Sequence, residues 1–265
     1  MFDAHCHLDF EAFDDDREEA IDLARQIGLR GLIIAGYDRR RRSLARELAT
    51  RPGIWATAGL HPWAVAGHDR PWLDEELHEL SRDLSDNLED WCGLGELGLD
   101  FHRVKDGPGR ELQEAAFIAQ LGIARELDLP LVIHAVKAHN TLYDILRREG
   151  LPRAGGIMHG YSGSARQVGL FLMLNLDISI GTPVTFGHTA KIEAVLRATP
   201  MDRLLIETDA PDRAPHPHRD QRNELHYLRF VMEEVARFKE IDVDELARHS
   251  ESNVRRRFRL GAEVL

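Results

Sequence analysis

The first strand-like segment of the chain reads FDAHCH over residues 2–7 and ends in two histidines. Residues two apart on a β-strand point to the same face, so His5 and His7 project together while Cys6 faces the other way. Two imidazoles on one strand form half of a site for a first-row metal. The segment therefore predicts a buried first strand that delivers metal ligands from its C-terminal end.

Seven more short apolar or β-branched runs follow, and amphipathic helical patterns separate them. The predicted strands are Phe2–His7, Gly31–Ala35, Trp55–Leu60, Cys92–Leu97, Leu131–His134, Gly156–His159, Asp177–Gly181 and Arg203–Glu207. The predicted helices are Glu18–Ile27, Arg42–Ala49, Leu73–Leu84, Arg110–Leu127, Thr141–Arg148, Ala165–Leu174, Ala190–Ala198, Glu224–Phe238, Val243–His249 and Glu251–Phe258. Eight strands, each followed by a helix, predict a (β/α)₈ TIM barrel, with a doubly wound open sheet as the alternative.

The 265 residues show no linker or low-complexity segment, so we expect a single domain over residues 1–265. Cys6 and Cys92 are too few for a disulfide framework and indicate buried thiols in a reducing compartment. No apolar run is long enough to span a bilayer, and the N-terminus lacks the pattern of a signal peptide. These features favour a cytoplasmic protein with no membrane partner, and we expect a monomer.

The formal net charge of −11 argues against a protein that mainly grips duplex nucleic acid through its phosphates. The basic run Arg39–Arg42 is predicted to lie in a solvated loop before a helix rather than to form a nucleic-acid patch, and the same prediction applies to Arg255–Arg257. An enzyme that contacts one or two phosphates locally stays compatible with this charge, since bound cations offset clustered carboxylates.

Six potential metal ligands share one location, the C-terminal ends of predicted strands. That is the face at which barrel enzymes place their active sites. Each residue alone has a simpler structural explanation, such as a hydrogen-bonded histidine or a helix cap. A single explanation for their common position is a metal site formed by His5, His7, Glu96, His134, His159 and Asp209.

The ligand types suggest two cations rather than one. Asp209 and Glu96 can complete a site begun by the first-strand histidines, and His134 and His159 can form a second site that shares Glu96. A carboxylate has two oxygens, so Glu96 is the natural bridge between cations about 3.5–4 Å apart.

Motifs along nearly the whole chain resemble those of the TatD family of metal-dependent hydrolases, within the amidohydrolase-like barrel enzymes. Each motif is modest evidence alone, but together and in order they are specific. They are Asp3–Leu8, Gly59–Pro62, Gly95–Asp100, Leu129–His134, His159–Gly163 and Glu207–Pro211.

The resemblance implies one metal on His5, His7, Glu96 and Asp209, and the other on Glu96, His134 and His159. Family members are magnesium- or manganese-dependent nucleases that trim DNA, and sometimes RNA, from the 3′ end. The resemblance therefore implies phosphodiester hydrolysis, with nucleic-acid ends or a small phosphodiester as the partner.

The chain departs from the family pattern at three positions. Val136 stands where the family commonly has an arginine, so Lys137 or His139 is a candidate for the missing phosphate contact. Asp212 replaces an aromatic residue and alters the rim of the pocket, and Leu225 replaces a proline.

The resulting hypothesis is a two-metal phosphodiesterase, a 3′–5′ exodeoxyribonuclease that uses two divalent cations (Mg, Mn or Zn). Asp209 and Glu96 are its predicted catalytic residues, and Asp209 also accepts or orients the proton of the attacking water. The predicted substrate contacts are His61, Lys137, Tyr161, Ser162 and Arg213.

Simpler interpretations of these contacts stay open. His61 can be a structural turn beside Pro62, Ser162 can belong to a turn that caps a helix, and Arg213 can form a surface salt bridge. Hydrolysis of an amide, ester or cyclic C–N bond is the alternative chemistry, although related barrels often bridge their metals with a carboxylated lysine where this chain has Glu96. A metal-loaded barrel without catalysis is a third possibility.

Overall fold

Eight parallel strands form one sheet in the computed structural model, which describes residues 1–104, 107–187 and 189–265. Their spatial order is the same as their order along the chain, which confirms the predicted (β/α)₈ barrel over the doubly wound sheet. The strands are β1 Phe2–Cys6, β2 Gly31–Ile34, β3 Ile54–Ala58, β4 Gly93–Asp100, β5 Leu131–Val136, β6 Gly156–Met158, β7 Leu176–Ile180 and β8 Leu204–Ile206.

The barrel closes between the ends of β8 and β1. The Asp209 N–H donates to the His5 carbonyl at 2.9 Å, and the His7 N–H donates to the Ala210 carbonyl at 2.7 Å. Two predicted ligand-bearing segments are thus tied together by backbone hydrogen bonds, so closing the barrel also brings Asp209 beside His5 and His7.

The strands are separated by helices that cover the outside of the sheet. The described residues contain the α-helices α1 Arg17–Gln26, α2 Arg39–Leu48, α3 Pro62–Val65, α4 Arg70–Asp86, α5 Pro108–Leu127, α6 His139–Glu149, α7 Ala165–Met173, α8 Ala190–Ala198, α9 Leu228–Lys239 and α10 Val243–Phe258. No helix among these residues has the length and apolarity needed to span a membrane.

The predictions of solvated loops at Arg39–Arg42 and Arg255–Arg257 were wrong, because the first run forms the first turn of α2 and the second lies in α10, where Arg257 is buried. The Asp38 side chain caps α2 by accepting a hydrogen bond from the Arg41 N–H at 2.9 Å. Arg42 is buried, with its guanidinium 3.6 Å from the Asp83 carboxylate of α4.

Three helix predictions near the C-terminus also differ from the structure. The predicted helices Val243–His249 and Glu251–Phe258 are one continuous helix, α10, which includes the buried Ser250. The Ser250 hydroxyl accepts a hydrogen bond from the Ile206 N–H of β8 at 3.1 Å, so a polar residue that resembled a break is a tertiary contact. α9 begins at Leu228 rather than Glu224, because a 3₁₀ turn, Leu225–Tyr227, precedes it.

Both faces of the strands are buried, as expected for a parallel barrel covered by helices. Cys6 faces the helical layer with its Sγ 3.5 Å from the Ile33 carbonyl, opposite in direction to the two histidines that flank it. Cys6 and Cys92 are both free thiols, the first fully buried and the second partly buried. The strand alternation predicted from residues 2–7 is therefore confirmed.

Candidate metal centre

The position of Glu96 depends on a close approach of three backbone segments. The pairing of β4 with β5 shifts between Gly95 and Leu97, a bulge that re-aims the side chain between them. The Glu96 N–H donates to the Gly36 carbonyl at 2.7 Å, across the barrel. A Cβ on Gly59 would lie 2.4 Å from the Gly95 carbonyl carbon, so the chain needs glycine there to approach this closely.

The first group of candidate ligands lies against one oxygen of Glu96, whose side chain is only 1% exposed. Glu96 Oε2 is 3.3 Å from His5 Nε2 and 3.4 Å from His7 Nε2. The two imidazole nitrogens are themselves 3.3 Å apart. Asp209 Oδ1 lies 3.5 Å from His5 Nε2 and 3.7 Å from His7 Nε2, which adds a second carboxylate to this group.

A second group faces the other oxygen of the same carboxylate. Glu96 Oε1 is 2.7 Å from His134 Nδ1 and 2.8 Å from His159 Nε2. It is also 3.2 Å from Nε2 of His61, which we expected as a substrate contact or as a structural turn, but not as a neighbour of Glu96. The other ring nitrogen of His61 accepts a hydrogen bond from the Trp63 N–H at 3.0 Å and caps α3. His61 thus forms the structural turn and points into the cluster at the same time.

These donor sets suit divalent cations. Glu96 Oε2 is buried and has no hydrogen-bond partner among the described residues, which is rare for a carboxylate oxygen unless an ion satisfies it. Imidazole and carboxylate atoms in three overlapping triplets lie within 4.8 Å of one another. The triplets are His5–His159–Asp209, His5–His7–Glu96 and His61–Glu96–His134. Because His5 and Glu96 each belong to two of them, the six predicted ligands form one continuous cluster.

The pKa shifts of the candidate ligands differ in direction from one residue to the next. Burial lowers the pKa of His5 to about 4, and the neighbouring His159 contributes. Burial also opposes protonation of His7, but Glu96 and Asp209 outweigh it and raise its pKa to about 9. For Glu96 burial favours the neutral acid, yet the surrounding imidazoles hold its pKa well below the usual range. Glu96 is therefore ionised. The positive charge around it is carried by protons on the neighbouring imidazoles, and a bound cation would replace those protons.

Asp209 has an unusual backbone conformation and a carboxyl group whose pKa is shifted. Its φ is 59°, in the left-handed region, where a non-glycine residue is strained and where functional residues are over-represented. Burial raises its pKa to about 6, although the nearby His159 and His7 oppose that shift. The side chain keeps 25% of its surface exposed, so it faces the cavity while the other carboxylate of this group is enclosed.

The pKa values predict that cation uptake releases protons. His7 is protonated in the metal-free protein up to about pH 9, and a ligand must be deprotonated to bind metal. Affinity should therefore rise with pH, by about tenfold per unit for each proton released, and it should fall further below about pH 6, where Asp209 is protonated. Calorimetric titration with Mn²⁺ in buffers of different ionisation enthalpy measures the protons. Uptake with no proton release at pH 7 would contradict this account.

Two carboxylates behind the cluster, Asp100 and Glu207, were not predicted from the sequence as functional residues. Asp100 Oδ2 accepts a hydrogen bond from Trp63 Nε1 at 2.6 Å and lies 3.4 Å from His134 Nε2. Glu207 Oε1 lies 3.3 Å from His159 Nδ1. Carboxylates that bond the outer nitrogen of a ligating histidine orient its ring. Asp100 ends β4 four residues after Glu96, so the period-two pattern of that strand was the available signal.

We expect Asp100→Asn to weaken metal binding and activity by about 10–100-fold, the usual cost of removing such a partner. The substitution keeps the size of the side chain but removes the charge that fixes the His134 ring. Metal affinity and kcat/KM measured on the same preparation check the prediction. Asp74→Asn, at an exposed carboxylate paired with Arg70 on α4, is the matched control. Asp100→Asn with both values equal to those of the control would rule out this positioning role.

A cavity of about 210 Å³ opens above the cluster at the C-terminal end of the barrel. Three of the predicted substrate contacts line it, namely His61, Ser162 and Arg213, while Lys137 and Tyr161 do not. Its remaining walls include side chains that we did not predict, above all the aromatic residues Phe10, Tyr37 and Trp63.

The departures from the family pattern are also placed by the structure. Val136 and Asp212 both line the cavity, and Lys137 follows β5 with an exposed side chain. His139 is buried and packs edge-on against Tyr161, with ring centroids 5.6 Å apart. His139 is thus directed toward the loop after β6 and α7, does not line the cavity, and is poorly placed to supply the phosphate contact for which it was a candidate.

Comparisons with known proteins agree with this architecture. The family described as TatD related DNase matches residues 2–259. A metal-dependent hydrolase of Bacillus subtilis (strain 168), YabD, is 36% identical over 98% of this chain and 99% of its own. The 3′-5′ ssDNA/RNA exonuclease TatD of Rahnella sp. (strain Y9602) is 33% identical over 99% of both chains. YjjV, a TatD homologue from Escherichia coli K12, is 30% identical in sequence to this chain. Its crystal structure superimposes with a TM-score of 0.90 over 98% of both chains.

Proposed function

Because the chain belongs to the TatD related DNase family of metal-dependent hydrolases, we propose that it removes nucleotides from the 3′ ends of single-stranded DNA or RNA by two-metal hydrolysis. The observation that carries the proposal is that the two carboxylate oxygens of Glu96 face different pairs of histidines. Oε2 faces His5 and His7. Oε1 faces His134 and His159. A carboxylate placed between two sets of imidazoles is the arrangement that a bridged pair of cations requires.

The residues that would hold the cations are those of the cluster. His5, His7, Glu96 and Asp209 would hold one, and Glu96, His134 and His159 would hold the other. When bound, such cations lower the pKa of a water and neutralise charge on a phosphodiester. His61 would support the second set through the same Glu96 oxygen.

Asp209 is the proposed proton acceptor for the attacking water. Its carboxylate is the most exposed of the acidic groups in the cluster, and a pKa of about 6 leaves it ionised at neutral pH while keeping it close to the operating pH. The backbone bond from its N–H to the His5 carbonyl fixes its position relative to the first ligand group.

Arg213 and Ser162 are the proposed phosphate contacts, since both line the cavity above the cluster. A guanidinium presents several donors to phosphate oxygens, and a hydroxyl adds another. The cavity, at about 210 Å³, has room for one phosphodiester and its immediate neighbours, so we expect a strand end rather than a duplex.

The direction of digestion tests the proposal. Single-stranded DNA and RNA labelled at either end should be shortened from the 3′ end after reconstitution with Mg²⁺, Mn²⁺ or Zn²⁺, and blunt duplexes should be poor substrates. An activated phosphodiester and an activated carboxylic ester should be compared on the same preparation. Faster turnover of the ester, with the oligonucleotides left intact, would favour the alternative carbonyl chemistry.

A further inference from the structure

A second cavity of about 240 Å³ lies beside the metal cavity, and we call it the side pocket. The two cavities share Gly160, Ser162 and Arg213 as lining residues, so they adjoin at the loop after β6 and at Arg213. Tyr161, which does not line the metal cavity, lines this one. The side pocket is therefore within reach of a group attached to a phosphate bound at the cluster.

The walls of the side pocket are mainly apolar. Ile180 ends β7, Val184 belongs to the 3₁₀ helix Thr182–Phe186, and Ile192 and Val195 lie on α8. Ile180 and Val184 are nearly fully buried, and both pack with Val195 in the main core cluster. The apolar surface is thus fixed by elements of the barrel and is not a chance depression in a loop.

Two cationic residues, Lys191 and Arg213, line the side pocket in a chain of net charge −11. Lys191 Nζ donates to the Ser162 carbonyl at 2.6 Å and links α8 to the loop after β6. The Arg213 carbonyl accepts a hydrogen bond from Thr182 Oγ1 at 2.6 Å, which ties the loop after β8 to the 3₁₀ helix. Positive charge is therefore held where the two cavities meet.

We propose that the side pocket receives the base of the 3′-terminal nucleotide, while Arg213 contacts the phosphate that joins it to the strand. This assignment rests on the proposed function. An apolar cavity of this volume is smaller than the usual range for drug-sized ligands and suits a single ring system. Room for a single base fits the end of a chain better than a strand that continues.

The lining of the side pocket also predicts how selective it is. Base-specific recognition relies on paired donors and acceptors from side chains such as Asn, Gln, Asp, Glu or Arg. Among the described residues that line the pocket, there is no Asn, Gln, Asp or Glu, and Arg213 lies at the junction with the metal cavity. The pocket should therefore accept any base through apolar contact and stacking, with little sequence preference.

Wild-type protein gives the first test. With Mn²⁺ as the added metal, a short single-stranded DNA that ends in thymidine should be cleaved with a kcat/KM about tenfold higher than the same strand ending in an abasic residue. Strands ending in the four bases should differ among themselves by much less. Equal cleavage of the thymidine and abasic strands would overturn the side-pocket assignment but not the proposed function. Failure to cleave either strand would overturn the proposed function itself.

Filling the side pocket gives the second test. Ile192→Trp should remove the preference for thymidine over the abasic residue, because the new ring occupies the space of the base. Met173→Trp, at a residue of α7 with 74% of its surface exposed, is the matched control and should keep the preference. Turnover of methyl 4-nitrophenyl phosphate, which carries no base, should be the same in all three proteins.

A replacement variant distinguishes filling of the side pocket from a folding defect. If Ile192→Trp loses turnover of methyl 4-nitrophenyl phosphate, Val184→Phe, which fills the pocket from the 3₁₀ helix Thr182–Phe186 instead of from α8, takes its place. Either variant with intact base-free turnover and an unchanged preference for thymidine would overturn the assignment.

Discussion

Asp209→Asn is expected to lower kcat for oligonucleotide cleavage by about 10²–10⁴-fold while leaving the fold near native. The amide keeps the size of the side chain but cannot accept the proton of the attacking water. The backbone hydrogen bond from residue 209 to the His5 carbonyl does not involve the side chain and is retained. His7, whose pKa Asp209 helps to raise, keeps a carboxylate beside it in this variant, because Glu96 Oε2 lies 3.4 Å from its Nε2.

Steady-state kinetics and metal analysis on the same preparation check this expectation. Asp212→Asn, at an exposed carboxylate on the rim of the same cavity, is the matched control and should stay within about threefold of wild type. Full activity in Asp209→Asn would remove this residue from the chemistry.

Glu96→Gln is expected to impair both metal binding and catalysis, with a loss of about 10³-fold or more in kcat/KM together with loss of bound metal. The carboxylate is buried, its pKa is held well below the usual range by the imidazoles, and both of its oxygens face ligand nitrogens. A neutral amide offers one acceptor oxygen instead of two and turns an N–H₂ group toward one set of histidines. At least one cation set should therefore lose its shared ligand.

Metal content and thermal unfolding should be measured together for this variant. Glu96→Asp is the informative control, because it keeps the charge but withdraws it from the histidines, and we expect intermediate metal content and activity. Glu96→Gln that keeps two equivalents of metal and activity within about tenfold of wild type would show that Glu96 does not bridge the cations.

The sequence pattern anticipated those parts of the site that depend on local geometry. Period-two alternation placed His5 and His7 on one face of β1, and their Nε2 atoms are 3.3 Å apart in the structure. The positions of His134 and His159 after strand-like runs were enough to place them at the same end of the barrel as Glu96, because parallel strands share one C-terminal face. The barrel itself followed from the alternation of strands and helices.

Other parts of the site depend on contacts between distant segments, and local patterns do not reveal them. The contact of His61 with Glu96 requires the bulge in β4, which re-aims that side chain toward β3. Asp100 lay beyond the predicted end of β4, so its contact with His134 was missed. Tyr161 was predicted to bind substrate from its place after a ligand, but whether it lines the metal cavity or the side pocket depends on how the loop packs against α8 and β7.

The most direct test of the binuclear centre is anomalous diffraction from crystals of the full chain grown with Mn²⁺. We expect two anomalous peaks about 3.5–4 Å apart, one beside His5, His7 and Asp209 and the other beside His134 and His159, with Glu96 between them. A single peak, or two peaks that do not share Glu96, would contradict this expectation.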